Sequence, residues 1–229
     1  MKIIGHRGAK DIAPENTLAS IQAALDAGVD AIEIDVRVTK DSAVVLSHDG
    51  SVLSAAGATA PVARPLAIAS ATYAELQQLK PDITTLTQAV DLVGQAVPLM
   101  IEVKPGVPTE PIRVILETFL TAGWQPENLW LGSKSQRILL ALHTALPSLP
   151  CVVIESWSGV IATHRARQLG TNRLAMNYHF MWSGFIKLIS RQYQLYAYPL
   201  NDARKAARWA NYGLAGAITD NPARLKPKA

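Results

Sequence analysis

A single cysteine, Cys151, stands in 229 residues, which excludes an intrachain disulfide. It lies in the apolar run Cys151-Val152-Val153-Ile154, a setting for core packing rather than for a reactive thiol. No apolar run approaches the length needed to cross a bilayer, and Ile3-Ile4 gives way at once to charged and polar residues without a signal-peptide core. The expectation is a soluble cytoplasmic protein with no stable membrane insertion. No cluster of Lys and Arg is interleaved with aromatics, so the net charge of +4 reads as a solvated surface with a mild preference for anions, not as a nucleic-acid face. Repeats and low-complexity tracts are also missing. What is present is a core-forming composition, 49% hydrophobic and 17% charged, sufficient for one domain spanning residues 1–229.

Apolar strand-like segments alternate with helix-like ones. Strands are expected over residues 2–5, 31–38, 98–103, 128–132, 151–155, 173–177, 194–199 and 215–219. Helices are expected over 15–27, 85–93, 110–122, 136–146, 158–169, 185–191 and 201–212. Eight strands in this alternation predict an α/β fold, a (β/α)₈ TIM barrel with a small insertion after the second strand, in preference to an open doubly wound sheet. Residues 44–47 form a further strand too close to Val38 for a parallel crossover, so a hairpin is expected. Its register sets Val38 against Val44, Val36 against Leu46 and Ile34 against His48, bringing His48 beside Glu33 and Asp35. The segment 49–80, rich in Ala, Ser, Gly and Pro and helical only over 72–79, is too long for a plain connection and reads as an insertion covering the barrel mouth. Trp124, Trp130 and Trp209 are expected between helices and barrel, whereas Trp157 and Trp182 follow strands and could line the mouth.

Glu33 and Asp35 are two apart on a strand, so they share a face, and their neighbours Ile32, Ile34 and Val36 are apolar. Two like charges in such a setting are costly without a cation. Glu102 and Lys104 repeat the spacing at the end of another strand, where barrel active sites collect their residues. Three carboxylates, no cysteine nearby and no His-x-His pair favour Mg²⁺ or Ca²⁺ over Zn²⁺. The alternative is a set of inter-strand salt bridges in which Arg7 and Lys104 balance the acids. His6 leaves the first strand at the same end. Two imidazoles, His6 and His48, converging on an acidic cluster suit acid/base chemistry on a phosphodiester, with Arg7 and Lys104 as phosphate partners.

The series Gly5-His6-Arg7-Gly8, Pro14-Glu15-Asn16-Thr17, Glu33-Ile34-Asp35-Val36, His48-Asp49, Glu102-Val103-Lys104 and Ile218-Thr219-Asp220-Asn221-Pro222 closely resembles the ordered motifs of the glycerophosphodiester phosphodiesterase family, from residue 3 to residue 225. The resemblance implies a TIM barrel with an insertion after the second strand. It also implies a metal-dependent hydrolase of glycerol and lipid metabolism that releases glycerol 3-phosphate and an alcohol from small-molecule glycerophosphodiesters. By similarity, Glu33, Asp35 and Glu102 bind the metal, His6 and His48 are acid and base, Arg7 and Lys104 contact phosphate, and Asn16 braces the site.

Departures from the family pattern are also visible. The stretch 51–60 lacks the Arg and threonines usual after the second histidine; Gly132-Ser133-Lys134 stands where Ser-Phe is common; and Ala197-Tyr198-Pro199-Leu200-Asn201 replaces a Trp-Thr-Val-Asn run. Tyr198 is the candidate wall of the glycerol pocket. Two further readings share these residues: a phospholipase D-like enzyme acting on lysophospholipids or sphingolipids, which needs an apolar membrane-facing rim that the sequence does not display, and a non-catalytic barrel that binds phosphodiesters. An amidohydrolase is disfavoured by the missing His-x-His pair.

Overall fold

A computed structural model describes residues 1–53 and 65–226. Its elements in chain order are β1 (Lys2–Gly5), α1 (Leu18–Asp26), β2 (Ala31–Val38), β3 (Val44–Leu46), β4 (Ser51–Val52), β5 (Leu66–Ala67), α2 (Tyr73–Leu79), α3 (Leu86–Val93), β6 (Leu99–Val103) and α4 (Glu110–Thr121). There follow β7 (Leu129–Ser133), α5 (Gln136–Ala145), β8 (Cys151–Glu155), α6 (Gly159–Leu169), β9 (Arg173–Asn177), α7 (Ser183–Ile189), β10 (Gln194–Tyr198), α8 (Ala203–Ala210), β11 (Gly216–Thr219) and α9 (Pro222–Leu225). Parallel pairing runs β1-β2-β6-β7-β8-β9-β10-β11 and returns to β1, closing a (β/α)₈ barrel.

Strand alternation builds two cores. On β2 and β6 the alternate residues Ile32, Ile34, Val36, Leu99, Ile101 and Val103 face outward and join the helices in the larger cluster. The other set faces the barrel axis, where Ile4, Ala31, Met100, Trp130, Tyr196 and Ile218 form a separate interior cluster. The ring of Trp130 lies 6.0 Å from that of Tyr196, and the Arg173 guanidinium sits 4.7 Å from the indole. Trp130 therefore fills the barrel floor, not the space between helices and strands as expected, because its position on β7 has inward parity.

Helices begin where threonine can accept an orphan amide. Thr17, Thr72 and Thr85 each form a capping box, with Ser20, Glu75 and Gln88 respectively returning the bond. Residues 15 and 16 consequently stay outside α1, and Asn16 has φ 57°.

The hairpin forms with Val38 opposite Val44 and Val36 opposite Leu46. It ends there. Opposed residues share a face, so continuing to Ile34 and His48 would have turned His48 outward with Ile34. Instead the chain bends after Ser47, whose N–H donates to the Asp35 carbonyl, and the Arg37 guanidinium holds the His48 carbonyl through Nη2 at 2.8 Å. Beyond it, β4 and β5 pair antiparallel, and Val45, Val52, Ile68, Ala71, Leu76 and Ile83 give this region its own small core. The expected insertion at 49–80 and the non-family stretch 51–60 lie partly outside the described residues.

Candidate active site

The turn leaving β1 sets the site. Arg7 (φ 51°) and Gly8 (φ 84°) are consecutive left-handed residues. A side chain at Gly8 would come within 2.5 Å of Ser20, and a non-glycine in this conformation costs about 1–2 kcal/mol. Arg7 is held there by three bonds: its N–H donates to Glu33 Oε2 at 3.0 Å, and its carbonyl accepts from Ser20 Oγ and from the Asn16 N–H. The reversal aims the Arg7 side chain across the mouth, where Nη1 bonds both oxygens of Glu15 and Nε lies 3.1 Å from Asp35 Oδ2.

Inward parity on β2 and β6 brings Glu33, Asp35, Glu102 and Lys104 together, all buried, and three of the carboxylates offer oxygens within 4.8 Å of one another. Lys104 Nζ lies 2.5 Å from Asp35 and 2.7 Å from Glu102. Asn16 donates Nδ2 to Asp35 Oδ2 and accepts the Asp35 N–H on Oδ1, both at 3.0 Å. Burial alone would raise the Asp35 pKa, but Lys104 and Arg7 outweigh it and hold this carboxyl below its usual range. Glu33 goes the other way. Its burial, with Asp35 and Glu102 alongside, raises its pKa well above normal, and Oε1 has no hydrogen-bond partner among the described residues. The salt-bridge alternative thus accounts for Asp35 and Glu102, which share Lys104, and leaves Glu33 uncompensated. A buried bare oxygen within an all-oxygen donor set fits a hard divalent cation.

His6 is fixed from behind. Its Nδ1 lies 2.5 Å from Asp220 Oδ1, while Nε2 is 3.9 Å from Glu33. Asn201 holds the other Asp220 oxygen at 2.7 Å, and Lys10 approaches at 3.4 Å. Burial opposes ionisation of Asp220, but the bonds from His6 and Asn201 prevail and lower its pKa to about 2. His48 is more open, with Nδ1 2.9 Å from the exposed Asp49 carboxylate.

His6, Arg7, Glu33, His48, Glu102, Lys104 and Tyr198 line one cavity of about 170 Å³, joined by Lys10 and Lys134. Asp35 and Asn16 are outside its lining, and Asn16 braces Asp35 through the two bonds above. Tyr198 donates to the Glu155 carbonyl at 3.2 Å, and burial raises its phenol above the usual range. Glu15, Asp220 and Asn201 were not assigned roles from the sequence. The first and second stand within motifs quoted above, and their link to Arg7 and His6 depends on chain reversals that spacing does not encode. A wider groove of about 710 Å³ opens at the other barrel end around His143, Cys151 and Arg167, with no carboxylate on its wall. Burial pushes the Cys151 thiol there up to about 11, in keeping with an inert packing residue.

Polar and ionisable groups gathered at the carboxyl ends of barrel strands define an enzyme of the TIM-barrel class. The family model for the glycerophosphoryl diester phosphodiesterase family matches residues 6–224, and the chain belongs to that family, a class of phosphoric diester hydrolases. It is 27% identical to YhdW of Bacillus subtilis (strain 168), over 97% of this chain and 95% of that protein. It is 26% identical to Lysophospholipase D GDPD1 of Rattus norvegicus, over 97% of this chain and 84% of the relative. The structure of an Oleispira antarctica phosphodiesterase in complex with the product sn-glycerol-3-phosphate superposes with a TM-score of 0.84 at 25% identity, covering 98% of this chain and 95% of that one.

Proposed function

We propose that the protein hydrolyses glycerophosphodiesters to glycerol 3-phosphate and an alcohol, with Glu33, Asp35 and Glu102 holding Mg²⁺ or Ca²⁺. The observation that carries this reading is the convergence of His6, His48, Glu33 and Glu102 on one cavity, beside a carboxylate cluster in which Glu33 Oε1 has no hydrogen-bond partner among the described residues. At about 170 Å³ the cavity is below the roughly 300–1,000 Å³ of drug-sized pockets, in keeping with a small polar phosphate group. The Oleispira complex with product supports the same substrate class.

An ion held by Glu33, Asp35 and Glu102 would supply Lewis-acid polarisation of a phosphate oxygen and neutralise developing charge. The protein's own groups do the rest. Arg7 and Lys104 present cationic donors to the phosphate, and Tyr198 walls the pocket. Asp220 fixes His6 through Nδ1, so that Nε2 faces the cavity. One imidazole accepts the proton of the attacking oxygen while the other donates a proton to the leaving alkoxide. Asn16 keeps Asp35 from rotating.

The test is release of glycerol 3-phosphate from several glycerophosphodiesters, with and without chelator, by the wild type and by Glu33→Ala. Chelator-insensitive release removes the metal from the reading, and no release from any of them reinstates a non-catalytic phosphodiester-binding barrel. A second reading keeps the centre and changes the substrate to a lysophospholipid, supported by the similarity to rat Lysophospholipase D GDPD1 along nearly the whole chain. Comparing water-soluble glycerophosphocholine with micellar lysolipid separates the two.

A further inference from the structure

The segments after β8 and β9, including the first turn of α6, present apolar side chains to solvent at the mouth end of the barrel. Trp157 is 72% exposed, Val160 79% and Trp182 64%, with Ile161 and Phe180 also exposed. These residues form one surface. The Trp157 ring lies 4.9 Å from Phe180, the Trp182 ring lies 5.3 Å from Phe185, and Phe185 packs so closely on Gly159 that a Cβ there would stand 2.3 Å from it. The patch is continuous with the site. Ser156, next to Trp157, bonds the Tyr198 hydroxyl at 3.2 Å, and Tyr198 lines the cavity.

Charge around the patch is predominantly positive; the Glu155 carboxylate beside it is paired with Arg165 at 3.3 Å and accepts the Trp157 N–H. No Asp or Glu occurs between Glu155 and Asp202, and the Asp202 carboxylate is occupied in capping α8 through the Lys205 N–H. On one flank the Lys134 ammonium sits 5.8 Å from the Tyr198 ring; on the other, exposed His179 and Arg204 accompany Lys205, which lies 4.8 Å from the Tyr178 ring. Indole rings prefer the boundary between headgroups and acyl chains, and cations beside them are drawn to anionic lipid. A contiguous exposed apolar surface with this rim marks an interaction site rather than ordinary surface.

We propose that this rim docks the barrel mouth on the surface of an anionic phospholipid bilayer, with Trp157 and Trp182 entering the interface and the flanking cations meeting headgroups. Among the described residues no helix is long and apolar enough to cross a membrane, so the attachment is peripheral and reversible. Resting on the catalytic reading above, docking places the cavity against lipid and lets it receive diesters whose alcohol or acyl part remains in the bilayer.

The test uses the full chain with phosphatidylcholine vesicles, with and without phosphatidylserine, reading co-sedimentation and tryptophan emission. The expected result is sedimentation with the anionic vesicles, a blue shift, and weakening by salt. The double variant Trp157→Ala/Trp182→Ala should lower vesicle partitioning by on the order of tenfold while leaving hydrolysis of soluble glycerophosphocholine unchanged. Absence of vesicle binding, or equal binding by the double variant, overturns the proposal. A concentration-dependent dimer abolished by the same two substitutions, with no vesicle binding, overturns it in favour of self-association. Vesicle binding without turnover of any glycerophosphodiester leaves docking standing and sinks the catalytic reading instead.

Discussion

The barrel mouth has two unlike halves. On the side of β1, β2 and β6 the inward positions nearest the mouth carry charge, with Arg7 and Lys104 paired to Asp35 and Glu102, while Glu33 Oε1 has no hydrogen-bond partner among the described residues. Across the mouth, the segments that follow β8 and β9, including the start of α6, carry exposed Trp157, Val160 and Trp182 and no acid. The difference separates two tasks. Buried charges held in one geometry suit chemistry on a small polar group, whereas an exposed apolar rim sets where the enzyme works and which molecules reach it.

Substitutions can be chosen to break one half and spare the other. The largest effect is expected on the charged side: His48→Ala should cut turnover by roughly two to four decades, with an unchanged thermal midpoint because the side chain is partly exposed and, among the described residues, bonded to Asp49 alone. Steady-state kinetics and a melting curve check both parts. Asp220→Asn should lower kcat by about 10–100-fold, the usual cost of losing an orienting partner, through misplacement of His6.

That variant also has a pH signature. The folded Asp220 carboxyl is depressed to about 2, below its unfolded value of about 3.9, so its contribution is complete above the unfolded value and is lost as pH falls toward 2. The difference in urea midpoint between wild type and Asp220→Asn should therefore shrink as pH falls below about 4.

Glu33→Gln should abolish metal-dependent turnover yet raise the unfolding free energy of the chelated protein by on the order of 1 kcal/mol, read as a higher urea midpoint, because it removes a buried charge beside Asp35 and Glu102 while keeping an acceptor for the Arg7 N–H. A lowered midpoint would show that Glu33 is compensated without an ion. The smallest effect belongs to the apolar side. Trp182→Ala should change kcat/KM on soluble glycerophosphocholine by less than about twofold, since its 64% exposed ring lies outside the cavity.

The two halves also differ in how far the sequence reveals them. The charged half is encoded locally: Glu33 and Asp35 share a strand face, Glu102 and Lys104 repeat the spacing, and His6 follows an apolar strand. Barrel closure then follows from the strand and helix alternation, with boundaries shifted by two or three residues where Thr17 and Asp202 cap their helices. The apolar half is assembled from 157–161 and 180–185, two segments that individually look like ordinary helix starts and meet only because β8 and β9 are neighbours. Trp130 shows a related limit. Barrel strands are apolar on both faces, so hydrophobicity does not say which face points inward, and only the register puts Trp130 on the floor with Tyr196. His48 reaches the cavity by leaving its strand, a bend secured by Arg37, and that bend has no signature in the hairpin pattern.

Asn16 binds Asp35 through both ends of one amide, a carbonyl taking the backbone N–H and an amino group serving the carboxylate. The amino group cannot be exchanged for an oxyanion without setting two negative charges against each other in a dry site. Hydrolytic loss of ammonia from this side chain would convert a brace into a repulsive wedge, although Asn16 itself does not line the cavity. The durability of the centre over the protein's lifetime thus depends on the chemical persistence of one buried amide.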